Sequence, residues 1–518
     1  MPSSNTPSDH SANPIDPVSS PSRAVHETPL YYQSLIGLLK PLYRLQVWHR
    51  SHKNDNYKQE IDQRFGKQYP PRPVVNANID KGVIWCHAVS LGETNTVAPL
   101  LDMLLANGYQ IWLTNTTQTG FARGASRFAE KIAQGQMSHS YVPVDSPTVI
   151  ETFLTHVQPI AALFVETELW ANILTKLSQH RIPSILVNGR LSASSFQSYQ
   201  KIGAVSASMM KNLSLIIAQD SDSAKRFRQL GASSAQIRVA GSLKWVINAS
   251  KTDDKAVEDN SIYNKKADLR AEFGIADRPV WVAASTHDGE EAAALSLQQQ
   301  LLSQATLADT LLIIVPRHPE RFDAVADLIQ KTGLNMARRS DGDMISADTQ
   351  VYLADSMGEM MTWYTLANVA FVGGSLVDIG GHNPVEPASV ATPVLMGGYT
   401  QSCQSVIDKL AEVGALYQPN NDFYRPIESN NSSSSDAQMA SDYQLKANKK
   451  TSRKKTAYNR EDAVSIYTQL ETWLSNLQLA AQAGLAGEQM TIQQQAVLTR
   501  QFTMIENAIE LSSNQDSL

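Results

Sequence analysis

The feature that most constrains this chain is a rhythm. From Lys81 onward, short apolar runs alternate with amphipathic stretches: Val83 to Val89, Ile111 to Thr114, Tyr141 to Val144, Ala161 to Val165, Ser184 to Val187, Leu215 to Ala218 and Ile237 to Ala240. A short apolar run followed by a helical pattern is a βα unit, and repeated units bury both faces of a parallel sheet under helices. A polar stretch, Asn248 to Lys266, interrupts the rhythm. It restarts with Val280 to Ala284, Leu311 to Val315, Val351 to Leu353, Val369 to Val372 and Pro393 to Met396. Since 518 residues exceed what one ordinary core accommodates, the expectation is an α/β chain of two doubly wound, Rossmann-like domains in tandem with a cleft between them.

The flanks divide as follows. Residues 1–28, rich in Ser, Pro and Asn, read as a disordered tail. Residues 29–60 form an amphipathic segment in which Tyr32, Leu35, Ile36, Leu39, Leu42 and Tyr43 recur at helical spacing, interrupted by Lys40, Pro41 and Arg44. Its charges make it a poor candidate for a membrane span, and it suits better a place in a membrane interface or one docked on the protein's own core. In the first case Tyr31, Tyr43 and Trp48 sit at headgroup depth and Lys40, Arg44, Arg50 and Lys53 face anionic lipid. The first α/β domain takes residues 61–247, a linker 248–268, and the second domain 269–427. A low-complexity Ser, Asn and Lys insertion takes 428–460, and C-terminal helices and tail take 461–518.

Composition excludes several functions. A net charge of −6 argues against a general nucleic-acid binder. Two cysteines, Cys86 and Cys403, cannot build a disulfide framework and read as small buried hydrophobes in a reducing cytoplasm. No Walker A loop and no GxGxxG follow the first strand, and no His or Cys cluster has zinc spacing. Asp220-Ser221-Asp222 forms a DxD, but the helical pattern after it reads as a helix cap.

Polar residues gather where strands end, the ligand-binding edge of open α/β sheets. Glu93 follows the first strand in HAVSLGET, placed either as a general base or as a carboxylate at a helix N-terminus. Glu166 and Glu168 follow the Ala161 strand, Arg190 the next, and Lys244 closes the first half in GSLKW. In the second half His287, Glu290 and Glu291 follow one strand, and Pro316 with Arg317 another. Met357, Gly358 and Glu359 open a helix whose amides favour an anion. The densest stretch is Val369 to Gly397, VAFVGGSLVDIGGHNPVEPASVATPVLMG, where two glycine pairs flank a loop holding His382, Asn383, Pro384, Val385 and Glu386.

Taken together, HAVSLGE, FVETELWANIL, VNGRLSASSFQSY, QDSDSAKRFRQLGA, GSLKW, ASTHDGEE, IIVPRHPERF, MGEMMTWY and FVGGSLVDIGGHNPVEPA resemble the Kdo transferases, from about Leu30 to about Gly414. These enzymes add 3-deoxy-D-manno-octulosonic acid (Kdo) to lipid A precursors in lipopolysaccharide synthesis of Gram-negative bacteria. The resemblance implies a GT-B fold, CMP-Kdo as donor, lipid IVA (a tetraacylated disaccharide bisphosphate) as acceptor, and attachment to the cytoplasmic face of the inner membrane. It implies Glu93 as base, and Glu166 and Lys244 as stabilisers of the transition state, with Glu168 the competing carboxylate. Pro316, Arg317, Met357 to Glu359 and Asn383 to Glu386 would bind CMP, with no metal and no cofactor. Departures from the family pattern are Ala171 in place of proline, Val246 in place of an acid, GGYTQSCQS in place of GPHTFNF, and the extra tail and insertion. Two competing readings are a nucleotide- or headgroup-binding module without catalysis and a GT-B enzyme using a UDP-sugar.

Overall fold

The computed structural model describes residues 24–51, 57–73, 81–246, 261–275, 277–427 and 458–515. Residues 1–23 of the expected tail, 247 at the end of the expected first domain, 248–260 of the expected linker and 428–457 of the insertion lie outside the described residues.

Seven strands, β1 (Val83–His87), β2 (Gln110–Asn115), β3 (Met137–Tyr141), β4 (Ala161–Val165), β5 (Ser184–Gly189), β6 (Leu215–Ala218) and β7 (Ile237–Val239), form one sheet in the order β3-β2-β1-β4-β5-β6-β7. Seven more, β8 (Val280–Thr286), β9 (Leu311–Pro316), β10 (Met336–Arg338), β11 (Val351–Leu353), β12 (Val369–Val372), β13 (Val394–Leu395) and β14 (Leu416–Tyr417), form the second, ordered β10-β11-β9-β8-β12-β13-β14. Every neighbouring pair is parallel. The chain direction reverses across each sheet between β1 and β4 and between β8 and β12, and a crevice opens at such a switch point. These are two Rossmann-like domains of the GT-B type, as expected.

Apolar runs became strands because both faces are covered: β1, β4 and β8 are buried along their whole length. The third strand differs from expectation. The apolar run Tyr141 to Val144 lies mostly beyond β3, which is the polar MSHSY. Its polar groups are buried with partners: Ser138 Oγ donates to Pro71 O at 2.6 Å, His139 Nε2 meets Asn115 Oδ1 at 2.7 Å, and Ser140 Oγ accepts from Trp112 Nε1 at 3.0 Å. The short strands β10 and β14 carry no apolar run long enough to read.

The two domains are joined at a tryptophan. Asp220 caps the helix Ser221–Gln229, accepting from Ser223 N at 2.6 Å, so the DxD is a cap as read. Beyond β7 the GSLKW segment forms a 3-10 turn, Leu243–Trp245, and plants Trp245 in the second domain among Val372, Val385, Val394, Met396 and Leu416, where it is 1% exposed. From the second domain the helix Val497–Gln515 returns to the first, burying Val497, Phe502, Ile505 and Ile509 against it. Truncating a fully buried tryptophan removes its transfer energy and leaves a cavity, so Trp245→Ala is expected to lower stability by about 3–5 kcal/mol. Thermal unfolding checks this, and a Tm within 2 °C of the parent, roughly 1 kcal/mol or less, would contradict the docking.

The amphipathic segment is the helix Leu30–Ser51, which continues through Pro41 rather than breaking there. There the proline gives up one main-chain N–H and sets its ring against the carbonyl of Gly37, one turn earlier. One side is docked: Tyr32 Oη donates to Asp145 Oδ2 at 2.8 Å and Val47 is buried. The other exposes Leu35, Leu38, Leu39, Leu42, Leu45 and Trp48. A second helix, Tyr57–Arg64, buries Glu60, Ile61, Gln63 and Arg64 and runs across residue 60. Among the described residues no helix is long and apolar enough to cross a membrane.

Candidate active site

Three of the turns that carry site residues hold a non-glycine residue in the left-handed region: Glu166 (φ 60°) after β4, Asn188 (φ 52°) within β5 and Ser285 (φ 55°) within β8. Such backbone costs about 1–3 kcal/mol each and persists where surrounding structure enforces it, characteristically at functional sites. Asn188 shows how. Its Oδ1 accepts from Leu243 N at 2.8 Å and its own N–H donates to Gln501 Oε1 at 3.2 Å, which fixes the turn that presents Lys244.

Glu93 sits in the first turn of the helix Leu91–Ala106. Its Oε2 accepts from Val89 N at 2.7 Å, while Ser90 Oγ accepts from Glu93 N at 3.4 Å, so the helix-terminus reading holds for one oxygen. Burial, with the charges of Glu166 and Glu168 added, raises its pKa to about 7 against the pull of the Val89 amide. A carboxyl poised near neutrality beside a cleft is suited to accept a proton.

Lys244 Nζ lies 3.8 Å from Glu166 Oε1, both about one-fifth exposed. Glu168 takes another partner, the Trp170 indole N–H at 3.1 Å. The second domain reaches the same place: Asn383 Nδ2 donates to Lys244 O at 3.1 Å, Lys244 Nζ donates to Ser402 O, and Arg190 donates to Gln401 O. The divergent GGYTQSCQS run therefore meets Lys244 and Arg190 through main-chain carbonyls, while the side chains of Ser402 and Cys403 hydrogen-bond to the Gly380 to His382 loop. Ala171 begins the helix Ala171–Gln179, and its carbonyl accepts from Thr28 Oγ1 at 3.1 Å. The first helical position favours proline but does not require it.

In the second domain Arg317 follows β9 and is exposed, anchored by its N–H to Thr286 O at 3.0 Å. Its charge opposes the burial that raises the Glu386 carboxyl. Pro384 and Val385 begin a short helical turn, Val385–Ala388, and Asn383 Oδ1 accepts from Val385 N at 3.3 Å. The helix expected at Met357 starts later, at Met360, with Glu359 in the capping position. Met357 is exposed, and the Glu359 carboxylate is engaged by Arg339 at 2.7 Å and by Ser356.

Gly373 does more than make a turn: a Cβ there would stand 2.4 Å from Ser285 O, so β12 and β8 approach too closely for any side chain. The partners of two groups were not legible in the sequence. Glu290, fully buried at the start of the helix Glu290–Leu302, accepts from the amides of His287, Gly374, Ser375 and Leu376 at 2.7–3.0 Å and ties the glycine loop down. His287 Nε2 meets His382 Nε2 at 2.8 Å. An acid opening a helix after a strand is a visible signal for the first. The second joins residues 95 apart and has none.

A sequence profile described as 3-Deoxy-D-manno-octulosonic-acid transferase (kdotransferase) matches residues 59–247. The 3-deoxy-D-manno-octulosonic acid transferase of Haemophilus influenzae is 37% identical over 396 residues, 75% of this chain and 87% of that one. The chain belongs to the Kdo transferase family. A second Kdo transferase, from Bordetella pertussis, is 34% identical over 397 residues, 75% of this chain and 88% of its own. The crystal structure of the C-terminal CMP-Kdo binding domain of WaaA from Acinetobacter baumannii is similar at 32% identity, covering 44% of this chain and 97% of that one, with a TM-score of 0.32. As a Kdo transferase the chain is a glycosyltransferase of lipopolysaccharide synthesis.

Proposed function

We propose that this Kdo transferase moves Kdo from CMP-Kdo to a hydroxyl of lipid IVA by a single inverting displacement with Glu93 as general base. The observation that carries the reading is the meeting of Glu93, Glu166, Lys244 and the Asn383 loop at the facing edges of the two sheets. Glu93 takes the acceptor proton as the hydroxyl oxygen bonds to the anomeric carbon on one face. The bond to the phosphate oxygen breaks on the other, and its electron pair leaves with CMP. Lys244, paired with Glu166 at 3.8 Å, faces the negative charge that collects on the departing phosphate. In the second domain Pro316 and Arg317 would take the phosphate, Met357 to Glu359 would border the nucleoside, and Asn383 to Glu386 would hold the ribose. Because the donor carries one carboxylate and one phosphate, these cations and main-chain amides hold it without a divalent metal.

The apolar stripe Leu35, Leu38, Leu39, Leu42 and Leu45 with Trp48 fits the inner membrane's cytoplasmic leaflet, where the acceptor's acyl chains reside. Purified protein with CMP-Kdo, lipid IVA and EDTA should give a product heavier by one or more Kdo units in mass spectrometry. Donor turnover without mass gain, or activity only after metal is restored, overturns the respective part.

A further inference from the structure

The His287–His382 contact has a geometry that fixes protons. The two rings are nearly coplanar, 8° apart, with centres separated by 5.1 Å while the two Nε2 atoms are 2.8 Å apart. Centres that far apart and nitrogens that close place the rings edge to edge, so the contact is an in-line N–H···N hydrogen bond. One proton occupies it. In the neutral pair one ring is protonated at Nε2 and bare at Nδ1, and the other is bare at Nε2 and protonated at Nδ1. The pair thus offers one N–H and one lone pair at its outer ends, and the lone pair is a place for one further proton.

The surroundings keep that place empty and favour an anion. His318 stands edge-on to His287, ring centres 5.3 Å apart. Burial, the neighbouring rings and Arg317 hold His382 down at about 4 and also lower His287, to which Arg321 adds. The nearby carboxylates are engaged elsewhere: Glu290 by four backbone amides, Glu291 and Asp288 by Arg321. Glu386 faces Arg317 and is itself raised by burial. On the remaining side the loop carrying Cys403 supplies only a thiol, donating to His382 O at 3.4 Å. Glu320 stands 3.6 Å from His318 but is largely exposed, so cationic groups converge from the ends of β8, β9 and β12 with only Glu386 and this exposed carboxylate beside them.

We propose that the His287–His382 pair is the protonatable wall of the donor-phosphate site and takes up one proton when a nucleoside monophosphate group binds beside Arg317. The proposal rests on the reading of Arg317 as a donor-phosphate residue. A bound anion raises the pKa of the pair, so between the free and bound values the complex holds one proton more than the free protein. Affinity then rises as pH falls through that window. The same proton neutralises part of the charge that collects on the phosphate as CMP departs.

Calorimetry of CMP binding to the full chain, from pH 6 to 8 in buffers of different ionisation enthalpy, tests this. In the parent protein affinity should strengthen by up to about tenfold per pH unit on acidification, with proton uptake approaching one per CMP. In His287→Asn and His382→Gln CMP should still bind, with only the weaker pH slope of its own phosphate, whose second pKa is about 6. Equal slopes in parent and variants overturn the proposal. Should the variants fold poorly, nitrogen-15 spectra of the parent decide: complementary tautomers in the free protein and an imidazolium signature with CMP support it, and neutral rings at saturating CMP refute it. Absence of CMP binding in the parent overturns the donor-site reading itself, and the proposal with it.

Discussion

Glu93→Gln is expected to reduce Kdo transfer by about 10²–10⁴-fold, the range a positioned general base contributes, while leaving the fold and CMP affinity at parent values. The amide is the informative replacement. Its oxygen still accepts the Val89 N–H, so the start of the helix Leu91–Ala106 keeps its partner and only the proton acceptor is lost. The pH profile makes the same point. Burial together with Glu166 and Glu168 raises Glu93 to about 7, and a base works only when deprotonated. The kcat/KM of the parent should therefore climb through pH 6 to 8, half-maximal near 7, and level above, and the climb attributable to Glu93 should vanish in Glu93→Gln. Retention of a tenth or more of the parent rate would leave Glu93 only its structural partner, Val89.

The alternation of apolar runs was enough to read both sheets because parallel strands buried on two faces have no freedom to be polar. Ala161–Val165, Leu215–Ala218, Val351–Leu353 and Val369–Val372 begin and end where their apolar residues do. β3 broke the rule because its serines and histidine are satisfied by Pro71, Asn115 and Trp112, which local sequence does not reveal. The site divides the same way. Glu93, Glu166, Lys244, Arg317 and the His382 loop were legible as polar residues at strand ends. The engagement of Glu359 by Arg339, the anchoring of four amides by Glu290 and the His287–His382 bond were not, since each pairs residues from separate βα units. Trp245 shows the limit from the other side: it was visible as part of a motif, but only the fold shows it buried in the opposite domain.

Lys244→Ala is expected to lower kcat by about 10²–10³-fold, the cost of removing one preorganised charge stabiliser, with little change in CMP affinity. The amine touches both domains, 3.8 Å from Glu166 Oε1 on one side and donating to the Ser402 carbonyl on the other. Two roles are open to such a group, a tie between domains or a charge aimed at the reacting centre. They differ in what the mutant loses. A tie that still reaches solvent, about one-fifth exposed on both sides, is worth roughly 1 kcal/mol, and its loss would show in Tm and in cleft closure while kcat fell by tenfold at most. A charge that acts only as the anomeric bond breaks is missed in kcat alone, since interactions absent from the ground state do not alter binding. Lys244→Arg separates the two further: the guanidinium keeps the charge and can pair with Glu166 and the Ser402 carbonyl, but it spreads that charge over a planar fork where the parent has a compact ammonium. Partial recovery of domain stability without recovery of kcat would assign Lys244 to the chemistry, and parent kcat in both variants would reduce it to the tie.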